Sequence, residues 1–213
     1  MIITIDGPSA SGKGTLSKRL AAHYCLPCLD TGSLYRILGL AMLRADSPLS
    51  NIDTAVNHAK SINLDEYDDS ELRTLEVGEA ASVLSAIPEV RDALLSFQKN
   101  FATQSGGAIL DGRDCGSVIA PDADVKFFVT ASPTVRARRR QVDLQNRGQT
   151  VDLAEILADI QRRDTRDSSR SVAPLSIPDG AVIIDSNEMN VAQMVSYAIE
   201  TVEAVLKTKP IVS

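Results

Sequence analysis

The sequence has no tryptophan, and its four phenylalanines and four tyrosines make up only 4% of 213 residues. A chain this poor in aromatics lacks the stacking platforms that hold long single-stranded nucleic acids. It has no excess of positive charge. The net charge is −6, which argues against wholesale binding of nucleic acid or an acidic membrane. No apolar run approaches the roughly 18 residues of a membrane span. The first apolar run starts at residue 2 and a glycine-rich turn at residue 7, leaving no room for a secretory leader in this sequence. The expected location is the cytoplasm. Metal-ligating side chains are also scarce. Cys25, Cys28 and Cys115 are the three cysteines, and His23 and His58 the two histidines. Cys25-Leu26-Pro27-Cys28 is a C-x-x-C that reads as a redox pair, half a zinc site, or two small, partly buried residues. A zinc site needs about four ligands. A redox pair normally opens a helix, and this one follows a helix. The plain packing reading is the expectation.

What the chain does have is Gly7-Pro8-Ser9-Ala10-Ser11-Gly12-Lys13-Gly14-Thr15, directly behind the apolar run Met1-Ile2-Ile3-Thr4-Ile5. It fits G-x-x-x-x-G-K. The run before it reads as a buried strand, and Leu16, Leu20, Ala21 and Tyr24 after it mark a helix face. Glycines let such a turn curl until several N–H groups point inward. Those donors and the positive end of the helix then cradle phosphates, with Lys13 reaching the outer ones. Residues 7 to 15 are therefore expected to bind ATP. The residue after the lysine, usually a Mg²⁺-ligating Ser or Thr, is Gly14, and Thr15 comes next. This GKGT variant is similar to nucleoside-monophosphate kinases.

Apolar runs and helical patterns alternate along the chain. Strands are expected at Leu26–Leu29, Ala108–Asp111, Val125–Val129 and Ala181–Ile184. Helices are expected at 14–24, 32–45, 53–59, up to Ala86, and from Pro88 with Val90, Leu94, Phe97 and Phe101 inward. Asp152 with Glu155, and Asn190 with Gln193, mark two further helix starts. The stripe of the last helix is Val191, Met194, Val195, Ala198, Val202 and Val205, and residues 207–213 are expected to fray. The acidic stretch 63–71 has no period and reads as a solvated connection. This order predicts an α/β fold with a parallel sheet covered on both faces, and ligands beyond the carboxyl ends of the strands.

Three polar constellations gather at those ends. Asp30-Thr31-Gly32-Ser33-Leu34-Tyr35-Arg36 joins a strand to a helix, a second anion site with Arg36 one turn on; alone it could be a capped helix with a surface arginine. Asp111-Gly112-Arg113-Asp114 ends an apolar strand, where phosphate-loop enzymes keep a Mg²⁺-organising carboxylate; alone it could be an Asp-stabilised turn. Thr15 and Asp111, acting through water, are the metal candidates. The third is Arg162-Arg163-Asp164-Thr165-Arg166-Asp167-Ser168-Ser169-Arg170. On a continuing helix Arg163, Asp167 and Arg170 share a face, with Arg166 beside them. Such a run is commonly a solvated ladder. Here Arg136, Arg138, Arg139 and Arg140 cluster at the other end of the same segment, among nine arginines between 136 and 170. A hairpin with arginines at both roots reads as a lid over polyphosphate, with Arg139 on ATP. Two phosphate-bearing ligands imply phosphoryl transfer to a phosphate. Such an acceptor is already an oxyanion, so positioning and charge neutralisation by Lys13, Arg113 and Arg163 would suffice.

At these residues the chain resembles the bacterial cytidylate kinases, the CMP/dCMP kinase family. The matching pieces are ITIDGPSASGKGTLSKRLA, LDTGSLYR, EAAS with PEVRDALL, LDGRDCGSV and RRDTRDSSRSVAPL, spread from residue 3 to about 175. The resemblance implies a three-layer sandwich around five parallel strands, a small monophosphate-binding lobe and an arginine-rich lid. The implied division is a core of about 1–45, 103–135 and 175–207, a lobe of 46–102 and a lid of 136–174. It implies ATP and Mg²⁺ as cofactors, CMP and dCMP as acceptors, no nucleic-acid or membrane partner, and a monomer. Position by position, Thr31, Tyr35 and Arg36 match the monophosphate turn. Ser82, Arg91 and Asp114 match residues reading the cytosine edge, and Arg113 a phosphate contact. Arg163, Asp167 and Arg170 match residues holding the acceptor's phosphate and sugar. Bacterial members commonly carry a longer, strand-rich insert in the region of residues 62–76, which is short and acidic here. The rival readings are a kinase for another acceptor and a nucleotide switch. No N-K-x-D element for guanine is present, and Lys13 and the lid arginines are kept.

Overall fold

A computed structural model describes residues 1–208. Five strands form one sheet: β1 (Ile2–Asp6), β2 (Cys28–Asp30), β3 (Ala108–Gly112), β4 (Val125–Thr130) and β5 (Val182–Asp185). Their order is β2-β3-β1-β4-β5 and every pairing is parallel. β1 lies at the centre, with Ile5 opposite Asp111 on β3 and Phe127 on β4. Both its faces are covered, which is why it reads as an unbroken apolar run with Thr4 fully buried.

One face carries α1 (Lys13–Tyr24) and α9 (Val191–Thr208). Leu16, Leu20, Met194, Ala198 and Val202 pack there on Ile3, Ile5, Phe127 and Val129. Asn190 and Gln193 cap α9 reciprocally, each side chain accepting from the other's backbone N–H at 3.0 Å, as the sequence pattern predicts. The opposite face is covered by α6 (Pro88–Ala102) and a single widened turn at Cys115–Ile119. α2 (Thr31–Arg44), α3 (Ile52–Lys60), α5 (Leu75–Leu84) and α6 share a second apolar cluster of Leu34, Leu38, Met42, Ala55, Leu84, Val90 and Leu94. α7 (Pro133–Asn146) and α8 (Leu153–Ser169) form a hairpin with its own small core of Ala137, Leu144, Ile156 and Ile160. No helix among the described residues is long and apolar enough to cross a membrane.

Several local expectations are corrected. The stretch 63–71 is not only a connection: it holds a 3-10 turn at Leu64–Glu66 and α4 (Asp69–Leu72), capped by Asp68 on Ser70 N. β2 begins at Cys28, after the chain leaves α1 through a left-handed Cys25, and not at Leu26. Cys25 is exposed and Cys28 half-buried, so only the second is a packing residue. Burial pushes the Cys28 thiol up to about 11, the wrong direction for a redox nucleophile. On α6 Phe97 is exposed and Gln98 buried. Val191 is exposed at the start of α9. α8 ends at Ser169, so Arg170 is its extended cap residue and not a helical one; Leu175 N turns back to donate to Asp167 O at 2.7 Å. The frayed tail predicted from 207 lies largely outside the described residues, and α9 runs to Thr208.

Candidate active site

The phosphate loop leaves β1 through Gly7 and enters α1 through Gly12. Both have left-handed φ, +149° and +101°. A Cβ on Gly7 would stand 2.1 Å from the Val129 carbonyl oxygen of β4, so only glycine fits that crossing. Gly12 caps α1 without any side-chain bond, and no acidic residue occupies the first turn. The first-turn donors and the helix dipole are thus left for an anion. The loop carbonyls are tied from behind. Arg136 Nη1 donates to Ser9 O at 3.2 Å, Arg139 Nη1 to Ser11 O at 3.3 Å, and Ser186 Oγ to Ser11 O at 2.8 Å. Arg136 also pairs with Asp164 of α8 through both terminal nitrogens and donates from Nε to Ala131 O. Arg139 continues to Ser186 Oγ and Ser186 O. Pro8 and Ala10 complete the loop, Ala10 in a left-handed conformation.

Lys13 and Asp111 meet where β1 and β3 end, Nζ to Oδ1 at 3.5 Å. Ser17 Oγ donates to Asp111 Oδ2 at 3.2 Å, and Thr31 Oγ1 donates to the Asp111 carbonyl at 2.9 Å. Burial pushes the Lys13 ammonium down, with Arg113 adding to it, and pushes the Asp111 carboxyl up against the pull of Lys13. Asp111 Oδ1 is buried without a hydrogen-bond donor, and a Cβ on Gly14 would lie 3.2 Å from Oδ2. A buried carboxylate with one unbonded oxygen, beside helix hydroxyls, is an oxygen-donor set that fits Mg²⁺. Among the described residues no three His, Cys, Asp or Glu side chains form a protein-only cage. That is the usual situation for Mg²⁺, which takes one or two carboxylates and completes its shell with water and phosphate. Thr15 is exposed on α1, and the helix hydroxyl bonded to Asp111 is that of Ser17.

Every residue expected to hold the acceptor lines one cleft: Thr31, Tyr35, Arg36, Ser82, Arg91, Arg113, Asp114, Arg163, Asp167 and Arg170. The cleft is open to solvent. At one end arginines crowd together. Arg36 Nη1 donates to Leu72 O at 3.1 Å, and burial followed by the charges of Arg163, Arg140 and Arg73 pushes Arg36 down to about 10. Arg163 Nε stands 3.0 Å from Asp159 of its own helix. Arg113 donates through Nε to Asp167 Oδ2 at 2.9 Å, joining the strand-end loop to α8. Mutually repelling guanidiniums crowded in a buried corner favour an anion beside them.

At the other end Asp114, 4% exposed, accepts from Arg91 Nη2 and, at 3.4 Å, from Arg170 Nη2. Both arginines also reach the Ser85 carbonyl, at 3.2 and 3.5 Å. The Arg91 guanidinium sits 5.8 Å from the centre of the Tyr35 ring. Asp6, which the sequence reading left unassigned, holds this corner from below. Its oxygens accept from Cys115 N at 2.8 Å and Gly116 N at 2.7 Å. Burial pushes its carboxyl up to about 6, against the pull of those two bonds. Asp6 ends β1 and Asp111 is the last but one residue of β3, so a similar strand-end signal was present in the sequence.

Fold and loop together define a phosphate-loop kinase, and beside the loop lies a second, arginine-lined cleft. Among solved structures the chain is similar to an uncharacterized protein from Eubacterium ventriosum, with TM-score 0.55, 14% identity, and 96% of this chain and 99% of that one covered. It is also similar to a gluconokinase from Sinorhizobium meliloti, with TM-score 0.50, 16% identity and coverage of 97% and 93%. At those identities the likeness is one of fold. The family model for cytidylate kinase matches residues 3–204. Cytidylate kinases from Methylocella silvestris (52% identical over 204 residues, 96% of this chain and 94% of the relative) and Rhodopseudomonas palustris strain BisA53 (53% over 205 residues, 96% and 97%) align over nearly their whole lengths. The chain belongs to the cytidylate kinase family.

Proposed function

We propose that this protein transfers the γ-phosphoryl group of ATP to CMP and dCMP, giving ADP with CDP or dCDP. The observation that carries the reading is the buried Asp114 between Arg91 and Arg170, in the same cleft as the arginine corner around Arg36. Asp114 accepts from an exocyclic amine. Arg91 and Ser82 donate to the ring nitrogen and carbonyl, which is the pattern cytosine requires. Arg36, Arg113 and Arg163 hold the acceptor's phosphate, and Asp167 and Arg170 its sugar. The loop from Gly7 to Thr15 holds ATP, and Arg139, expected on ATP, braces the loop through the Ser11 carbonyl instead. Lys13, Arg113 and Arg163 neutralise charge on the transferring group, and the acceptor phosphate needs no strong base near neutral pH. Mg²⁺ would be held by Asp111, with Thr15 reached through water, and supplies charge neutralisation between the phosphates when bound. A hydroxyl acceptor would instead call for a carboxylate base.

We divide the chain into a core (about 1–45, 103–135 and 175–207), an acceptor lobe (46–102) and a lid (136–174). The separate apolar cluster of α7 with α8 supports the lid, whereas α2 of the core shares one cluster with α3, α5 and α6 of the lobe. We read the enzyme as a cytoplasmic monomer without nucleic-acid or membrane partners, because its substrates are metabolites of the cell interior. The test is purified protein with ATP and Mg²⁺ against CMP, dCMP, UMP, AMP and GMP, following ADP release. Strong turnover with CMP and dCMP, weak with UMP and none with purines, is expected. A preference for UMP or AMP would mean that the short segment 62–76 has remade the acceptor pocket. No turnover with any of the five would sink the reading.

A further inference from the structure

Glu79 and Ser82 stand three residues apart on α5, one turn along a shared face. Arg166 of α8 reaches both. Its Nη2 donates to Glu79 Oε1 at 2.7 Å and its Nη1 to Ser82 Oγ at 2.7 Å. Gly78 of α5 leaves room here for Arg163 of α8, whose Nη2 would lie 2.8 Å from a Cβ at that position. Arg166 holds the Glu79 carboxyl below the ordinary glutamate value. The guanidinium is therefore anchored on an acid, and its second arm is aimed at the hydroxyl that lines the cleft.

A guanidinium only donates, so Ser82 Oγ accepts from Arg166 and its own proton must point elsewhere. The adjacent positive charge turns that proton away from α8. It also weakens the remaining lone pair as an acceptor. A serine fixed in this sense is a donor to the ligand. The ring nitrogen N3 accepts in cytosine and carries a hydrogen in uracil. We infer that Arg166, anchored on Glu79, is a specificity-determining positioning residue: by donating to Ser82 it presents the Ser82 proton to the acceptor base and favours cytosine over uracil. This inference rests on the reading of the cleft as a CMP site.

The test is steady-state kinetics with CMP and with UMP at saturating ATP and Mg²⁺. It uses wild type, Arg166→Ala, Glu79→Gln, Ser82→Ala and the Ser82→Ala/Arg166→Ala double variant. Arg166→Ala should lower the CMP:UMP ratio of kcat/KM about tenfold. The loss should appear in KM for CMP, with kcat and the KM for ATP within about twofold. Glu79→Gln, which leaves the helix contact sterically intact, should move the ratio in the same direction by less. It keeps the test alive if Arg166→Ala does not fold. The double variant should fall no further than the deeper single one, since both remove one device. An equal loss of kcat with both pyrimidines at an unchanged ratio would overturn the inference and leave Arg166 a lid residue. Additive losses would overturn it too. No turnover of CMP by wild type would instead sink the proposed function, and the inference with it.

Discussion

Replacing Asp114 with asparagine tests the base corner most directly. The side chains of Arg91, Arg170 and Asp114 are 8%, 3% and 6% exposed, so none is screened well by water. Two guanidiniums share one carboxylate, and the cluster has a net charge of +1. Both also donate to the Ser85 carbonyl, at 3.2 and 3.5 Å, so those two donor nitrogens are at most about 6.7 Å apart. At an effective dielectric constant near 20, two unit charges at that distance repel by about 2.5 kcal/mol. In the wild type the carboxylate outweighs that repulsion. The asparagine keeps the shape and one acceptor but leaves the repulsion uncompensated. Breaking a buried pair costs roughly 3–5 kcal/mol, and the retained acceptor places Asp114→Asn at the low end, about 3 kcal/mol.

For a chain of this size that is a fall in Tm of roughly 6–12 °C, read by calorimetry and urea unfolding. The amide also offers a donor where the carboxylate offered only acceptors. It should therefore lose the cytosine amine and gain the uracil carbonyl, shifting the CMP:UMP ratio of kcat/KM by about 100-fold. Adding Arg91→Gln restores the cluster to +1 and should recover part of the stability and none of the CMP preference. A variant that melts within about 2 °C of wild type and keeps its pyrimidine preference would refute the charge argument and the base-reading role together.

Three other perturbations follow from the same geometry. Lys13→Met should lower kcat at least about 100-fold with little change in the KM for CMP, since the lysine faces the transferring group and not the acceptor; initial rates check this. Gly7→Ala must accommodate a Cβ 2.1 Å from Val129 O at φ +149°, and should cost about 3 kcal/mol in urea unfolding while weakening ATP binding. Asp6, raised from 3.8 to about 6, contributes stability that is fully present below about pH 4 and lost as the pH rises through 6. The stability gap between wild type and Asp6→Asn should therefore shift toward the variant by about 2.5 kcal/mol between pH 4 and pH 7; a gap independent of pH would show that Asp6 is not held in that environment.

The parallel sheet and the phosphate loop were legible because each carries a local signal. An unbroken apolar run fixes a strand buried on both faces, and glycines at fixed offsets fix the turn. The short elements between 64 and 72 were not, since three or four residues hold no period. That α6 buries Gln98 and exposes Phe97 depends on what the helix packs against, which no pattern within α6 announces. The acceptor residues were named through family resemblance, and the structure gathers them in one cleft. Their internal pairings were invisible. Arg113 with Asp167 is 54 residues apart in sequence, Arg166 with Glu79 is 87 and Arg136 with Ser9 is 127.

Those pairings divide the arginines of the hairpin by task. Arg136 is 2% exposed and ties the loop carbonyl of Ser9, the Ala131 carbonyl and Asp164 together; Arg139 ties Ser11 to Ser186. A peptide unit whose carbonyl is bonded outward turns its N–H inward, so these two arginines shape the phosphate loop from its outer side. Swinging the first turns of α7 as part of a rigid lid would break all of these bonds at once and strand a buried guanidinium, at a cost of several kcal/mol. The root of α7 therefore moves with the loop. Arg163 and Arg166, one residue before Asp164 and two after it on α8, instead face α5. Closure over a bound nucleotide is then a question of how α5 and α8 approach each other, and their contact is made of the residues that would also read the base.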